Sequence, residues 1–225
     1  MNVLELFSGT GSVGKVCKDK GFNVISLDIK NADINCDILE WDYKIYPPNH
    51  FHYIHASPPC DTFSNLRKSN YGKPLKAHNP DWKNDKSVLF TKELFLQDQL
   101  TKGVPILNKT LEIIKYYDPK YYTIENPKSG DMKKYITDLS FEDVDYCRYG
   151  FLYKKSTRIW NNFEFSGEKC NHKTHSHSIG SKVKVKNLKN NLPSNFGNVM
   201  NINEKYKMPP LLIEEWINQM NKYEK

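Results

Sequence analysis

The sequence predicts an α/β domain with a mostly parallel central sheet and helices on both faces. Three observations predict it. Short apolar runs alternate with helix-length segments, the pattern of βαβ units. The first run passes directly into a glycine turn and then a helix start. At 225 residues, 38% of them hydrophobic and 13% aromatic, the chain is long enough to bury one core with at most a small insert.

Residues 2–7 are mostly apolar and read as the first strand, 8–12 (SGTGS) as the tight turn, and 13–20 as a helix stopped by Gly21. Residues 23–29 form a second run that ends around Asp28, and 51–56 a third that runs into Ser57-Pro58-Pro59-Cys60. Residues 62–80 hold no acid and are rich in Gly, Pro, Asn and Ser, which predicts a long loop with a functional task. Helical spacing covers 98–117, although Gly103 and Pro105 unsettle its first turns; Asp118-Pro119 ends it before a strand at 121–125. Later pieces are 144–149, 157–160 and a C-terminal helix over about 211–223, entered through Pro209-Pro210. Between Glu168 and Glu204 lies a second acid-free stretch with six lysines and three histidines, read as a small basic insert. The expected organisation is a main domain over 1–160, the insert over 161–203, and a returning helix over 204–225.

Lys and Arg number 33 against 26 acids, a formal charge of +7, which favours an anionic partner and nucleic acid first. The mean hydropathy is −0.70, and no run approaches the roughly 20 apolar residues that a bilayer demands. The N-terminal residues lack a basic segment followed by a long apolar one, so neither a membrane nor export is expected. Five cysteines, an odd number with no CxxC pair, fit a reducing compartment better than a disulfide framework. These features predict an intracellular monomer, cytoplasmic or nucleoid-associated, or inside a host cell if the source is viral.

Three motifs carry chemistry. Phe7-Ser8-Gly9-Thr10-Gly11-Ser12 is a glycine turn between strand and helix, where backbone can approach a ligand closely. Its spacing is neither GxGxxG nor GK[ST], which disfavours dinucleotide and phosphate-loop sites. Asp28 ends the second strand, where such folds offer a carboxylate to ribose hydroxyls. Ser57-Pro58-Pro59-Cys60 is a rigid turn at a strand end, with a basic loop behind it that would favour the Cys60 thiolate. Glu125-Asn126-Pro127 ends another strand on the same sheet edge, and a partly desolvated carboxyl beside a thiolate is placed to hold a proton.

The order LFSGTGSVG, SPPC, IENP resembles the cytosine carbon-5 DNA methyltransferase family, over residues 2 to about 160 and loosely again at the C-terminal helix. The resemblance implies a Rossmann-like, S-adenosylmethionine-dependent methyltransferase fold. Phe7, Ser8, Gly9, Thr10 and Gly11 would line the methionine and ribose side of the cofactor, and Pro59 would face it. Asp28 would accept the ribose hydroxyls, Ile29 would pack on the adenine, and Asp37 with Ile38 would meet the adenine edge. Cys60 would attack carbon 6 of cytosine, making carbon 5 nucleophilic, while Glu125 takes up charge at ring N3. The substrate would be double-stranded DNA with a flipped cytosine. Where the family has a glutamine and two alternating arginines, the corresponding stretch of this chain is Tyr149-Gly-Phe-Leu-Tyr-Lys-Lys-Ser-Thr-Arg158-Ile-Trp160. Arg158 is the expected contact to the base or its phosphate, with Lys154 and Lys155 replacing the rest.

Alternatives stay open at this level: a tRNA cytosine-5 methyltransferase, an amino-group methyltransferase, and an inactive nucleic-acid-binding relative. Cys60 and Glu125 speak against the last two. Cys170, His172, His175 and His177 offer four zinc ligands within eight residues, but their spacing is outside the standard finger patterns, and a solvated DNA-facing loop is preferred. No metal is assigned, and the four tryptophans are read as packing.

Overall fold

The computed structural model describes residues 1–74, 88–171, 177–178 (backbone only) and 206–222. Its centre is a seven-stranded sheet. The strands are β1 (Asn2–Leu6), β2 (Asn23–Asp28), β3 (Ile34–Asn35), β4 (Tyr53–Ala56), β5 (Tyr121–Pro127), β6 (Phe141–Asp145) and β8 (Ser156–Asn161). Their order is β3-β2-β1-β4-β5-β8-β6, and only the pairings of β8 with β5 and β6 are antiparallel. A two-residue ladder, β7 (Tyr153–Lys154) with β9 (His177–Ser178), lies apart from it.

Side chains alternate across each strand, and the alternation sorts them into two cores. Leu4, Leu6, Ile54, Ala56, Ile124 and Trp160 face one layer with α4 (Val104–Tyr117), which contributes Leu107, Ile113 and Tyr117. Val3, Tyr53, Tyr121 and Ile159 face the other, covered by α1 (Ser12–Asp19) and α5 (Pro210–Lys222). Trp216 of α5 is fully buried there, and the Tyr121 hydroxyl donates to the Met220 carbonyl at 3.0 Å. Among the described residues, no helix is long and apolar enough to cross a membrane.

Several boundaries differ from the sequence reading. The segment read as one helix over 98–117 is α3 (Lys92–Asp98), a π-helical turn (Gln99–Gly103) and then α4. A Cβ at Gly103 would sit 2.3 Å from Thr62 Oγ1 and 2.7 Å from Phe63, so the turn after Cys60 presses on the helix where the side chain is smallest. The start of the long loop is ordered by a short helix α2 (Asn65–Lys68), whose N-cap Ser64 accepts from the Leu66 N–H. The run at 144–149 is the end of β6 followed by a 3-10 turn (Tyr146–Tyr149). Asn161 closes β8, so the sheet takes the first residue assigned to the insert. Residues 75–80 of the long loop, most of the insert, and the side chains of His172, His175 and His177 lie outside the described residues.

Helix α1 has no acidic residue in its first turn. Glu5 of β1, only 3% exposed, caps the helix instead by accepting the N–H groups of Val13, at 3.1 Å, and of Gly14. A Cβ at Gly14 would lie 2.4 Å from Glu5 Oε2, so the glycine exists to admit the carboxyl. Burial outweighs these donors and raises the Glu5 pKa from 4.5 to about 7. The folded state therefore holds a proton that the unfolded chain has already lost, and stability should fall as pH rises between about 4.5 and about 7. The expected loss is on the order of 3 kcal/mol. Glu5→Gln should abolish that slope in urea unfolding; wild-type and variant stabilities running parallel across the window would refute the assignment.

Candidate active site

The strand order reverses between β1 and β4, which opens a crevice at their carboxyl ends. Beside β1, the backbone turns sharply: Phe7, Gly9 and Gly11 have φ values of 58°, 48° and 65°. The Gly11 N–H donates to the Ser8 carbonyl at 2.7 Å, and the Ser8 N–H to the Leu27 carbonyl at 3.1 Å. The Gly9 N–H donates to Asp28 Oδ2 at 2.9 Å, so β2's last carboxylate is held against the glycine turn. Thr10 and Ser12 pair through their hydroxyls at 2.9 Å. Ile29 is left 67% exposed beside Asp28. Asp37 is exposed and accepts the Leu39 N–H at 2.9 Å, whereas Ile38 is 3% exposed and packs in the core. Of the Asp37–Ile38 pair, only Asp37 presents its side chain; the apolar core has claimed Ile38.

On the other side of the crevice, β4 ends in Ser57 and the two prolines. Neither Pro58 nor Pro59 has an N–H, so the turn cannot extend the backbone ladder. It is held by side chains instead. Asn126 Nδ2 of β5 donates to the Pro58 carbonyl at 3.0 Å, a buried bond that joins the two motif-bearing strand ends. Beneath them, His55 Nε2 meets Ser57 Oγ at 2.9 Å and its Nδ1 meets Thr123 Oγ1 at 2.8 Å. Tyr53 completes the chain with a 2.7 Å bond to Thr123. Burial depresses the His55 pKa to about 3, so this ring is a neutral spacer stacked on Trp216, with centroids 6.0 Å apart. Pro59 is exposed at the crevice edge.

Cys60 and Glu125 lie in one cleft, close enough that the carboxylate acts electrostatically on the thiol. Glu125 is 7% exposed. It accepts the Tyr146 hydroxyl at 3.2 Å and pairs with Lys155 Nζ at 3.6 Å. The expectation of a thiolate favoured by the basic loop needs correction. Burial, then Glu125, push the Cys60 thiol up to about 11, and Lys155 opposes them only in part. Two of the loop's cations are spent elsewhere: Arg67 pairs with Asp98 at 2.5 Å and Lys68 with Asp131 at 2.9 Å.

Arg158 is not brought to the cleft. It shares a sheet face with Trp160 and Asn126, opposite to that of Glu125 and Ile159. Its guanidinium is bound to Asp143 at 2.8 and 3.2 Å and stacks on Phe141 at 3.5 Å from the ring centroid. The place expected for it is filled by Lys155, three residues earlier, while Lys154 pairs with Asp145 at 3.6 Å. Sequence reasoning passed over Tyr146 and His55. Neither sits in a motif, and only the β6 and β4 registers aim them at the site. Among the described residues no group of three or more His, Cys, Asp or Glu could hold a metal.

Because its pKa is near 11, Cys60 should react with iodoacetamide at a rate that keeps climbing with pH well past 9. Lys155→Met should slow that reaction several-fold at pH 8, about what loss of one nearby positive charge predicts. Peptide mapping of the labelled chain would show it, and an unchanged rate in the variant would break the link between Lys155 and the thiol.

No protein-family model matches the chain. The "Probable DNA (cytosine-5)-methyltransferase" of Frog virus 3 (isolate Goorha) is 42% identical over 167 residues, which is 73% of this chain and 72% of that protein. Among solved structures, Entamoeba histolytica methyltransferase EhMeth aligns with a TM-score of 0.49 at 15% identity, covering 75% of this chain and 57% of that one. S. pombe Dnmt2 methyltransferase aligns with a TM-score of 0.42 at 13% identity, covering 80% of this chain and 51% of that one. The chain thus spans little more than half the length of these two structures. On its 42% identity to the viral protein across most of both chains, this protein belongs to the DNA (cytosine-5)-methyltransferase family.

Proposed function

We propose that the protein transfers a methyl group from S-adenosylmethionine to carbon 5 of cytosine in DNA through a covalent bond from Cys60 to carbon 6. One observation carries the reading: a cysteine and a glutamate from adjacent strand ends act on each other, and one lysine acts on both.

The side chains at the crevice suit the cofactor's polar and flat parts. The carboxylates of Asp28 and Asp37 suit hydroxyl and amino donors, and the exposed Ile29 between them offers an apolar face to a flat base. A side chain at Gly11 would enter open space at the crevice, and its positive φ favours glycine there. When bound, S-adenosylmethionine supplies an electrophilic methyl group on a sulfonium. The residues from Phe7 to Gly11, with Pro59 opposite, would hold its methionine and ribose portions.

Charge coupling between Cys60 and Glu125 gives the chain's own part in the reaction. An ionised Glu125 repels the thiolate, so Cys60 keeps its proton. Moving that proton to Glu125 removes the repulsion, and Lys155 then faces the new sulfur anion. The sulfur pair forms the bond to carbon 6 while Glu125 gives the proton to ring N3, so no net charge accumulates on the ring. Carbon 5 takes the methyl and loses its own proton to solvent, the carbon–sulfur bond breaks to release Cys60 as a thiolate, and N3 returns its proton to Glu125, from which the sulfur recovers it. The base must stand outside the duplex to fit between these side chains. The monomeric state and the basic insert's contact with DNA belong to this reading as well.

Labelled cofactor offered with duplex DNA and with tRNA should mark carbon 5 of cytosine in the DNA, whereas label confined to tRNA would replace the substrate. Cys60→Ser should abolish the denaturation-resistant adduct with 5-fluorocytosine DNA, and Glu125→Gln should slow methyl transfer about 100-fold. An adduct that survives in Cys60→Ser would overturn the mechanism.

A further inference from the structure

We infer that Tyr146 is a positioning residue for Glu125, occupying with Lys155 one carboxyl oxygen, Oε1, so that the other, Oε2, is the oxygen that meets the substrate ring. The inference rests on the reaction proposed above and deepens it.

The two donors converge on a single atom. The Tyr146 hydroxyl lies 3.2 Å from Glu125 Oε1, and Lys155 Nζ lies 3.6 Å from the same oxygen. They are also bound to each other. The Tyr146 N–H donates to the Lys155 carbonyl at 3.1 Å, and Lys155 Nζ stands 4.7 Å from the Tyr146 ring centroid. Tyr146 is wholly buried and set edge-on to Phe151 at 5.6 Å, which fixes the ring; Thr157 is the other side chain that meets its hydroxyl.

Toward Oε1 both groups act as donors. Lys155 has no lone pair to offer while charged, and burial with Glu125 alongside holds the Tyr146 proton on far above its ordinary range. An oxygen already facing two hydrogens is a poor place for a third. When Glu125 takes up a proton, that proton therefore belongs on Oε2, which has no donor of its own among the described residues. An acid with its proton fixed on one oxygen can serve a ring nitrogen without first rotating. The charged and titratable neighbours of this carboxyl are Cys60, with Asp61 beside the thiol, on the turn after β4, Tyr146 after β6 and Lys155 before β8. His55 shares the sheet face but is neutral.

The test is a double-mutant cycle on methyl transfer to duplex DNA. Tyr146→Phe removes the hydroxyl and keeps the ring. It should lower kcat about tenfold, as expected for one hydrogen bond to a charged group, with KM for DNA unchanged within about twofold. Added to Glu125→Gln, it should cost nothing further, because its effect passes through the carboxylate. If the phenylalanine variant melts, 4-fluorophenylalanine at position 146, which fills the hydroxyl's place without a hydrogen to donate, makes the same comparison. Wild-type kcat in the variant, or losses that multiply with Glu125→Gln, would overturn the inference while leaving the reaction standing. Failure of the wild-type chain to form the 5-fluorocytosine adduct would overturn the reaction and this inference together.

Discussion

The bond from Asn126 to the Pro58 carbonyl is the constraint on which the cleft depends. Two prolines make the turn before Cys60 stiff, but they also strip it of the N–H groups that could tie it to the sheet. A stiff turn without anchors would swing as a unit about the end of β4. The Asn126 amide stops that by seating the turn on β5, one residue beyond Glu125. The thiol and the carboxyl are thereby tied to each other through one residue step on β5 and two on the turn. Below this bond the buried row Tyr53, Thr123, His55, Ser57 is fully hydrogen-bonded, and a satisfied polar row is rigid.

Burial sets the electrostatics of the cleft, and charge only trims it. Desolvation leads for Cys60, as it does for Glu5 and His55, and in each case it favours the neutral form. Lys155 lowers the cost of a sulfur anion without removing it. The cysteine thus rests as a thiol and reacts slowly at neutral pH. Such a resting state suits a nucleophile that must wait for a base to be presented.

Much of this was legible in the residues. The glycine turn, the Pro-Pro-Cys turn and Glu125-Asn126 announced their strand ends, because turn chemistry is local and depends on a few residue types. The seven-strand order and the burial of α5 followed from the βαβ pattern only in outline. What stayed hidden was set by register. Whether Lys155, just before β8, or Arg158 within it faces the cleft depends on the register of that strand, and the string of letters does not state it. The Asp143 that removes Arg158 lies fifteen positions away on another strand, and the Asp98 and Asp131 that neutralise Arg67 and Lys68 are more distant still. Tyr146 carried no signal, since a tyrosine after a strand is ordinary until its hydroxyl is seen against Glu125.

Helix α5 bears on how the molecule comes into being. It lies against α1, receives Tyr121 through its Met220 carbonyl and sets Trp216 under His55. Residues from the beginning, middle and end of the chain therefore share one apolar layer directly beneath the cleft. During translation the nascent polypeptide can pair β1, β2 and β4 early, but the floor under Ser57 and Thr123 stays open until synthesis has passed residue 222. Cys60 is not yet buried on the half-built domain, so the desolvation that raises its pKa in the folded chain is missing during that interval.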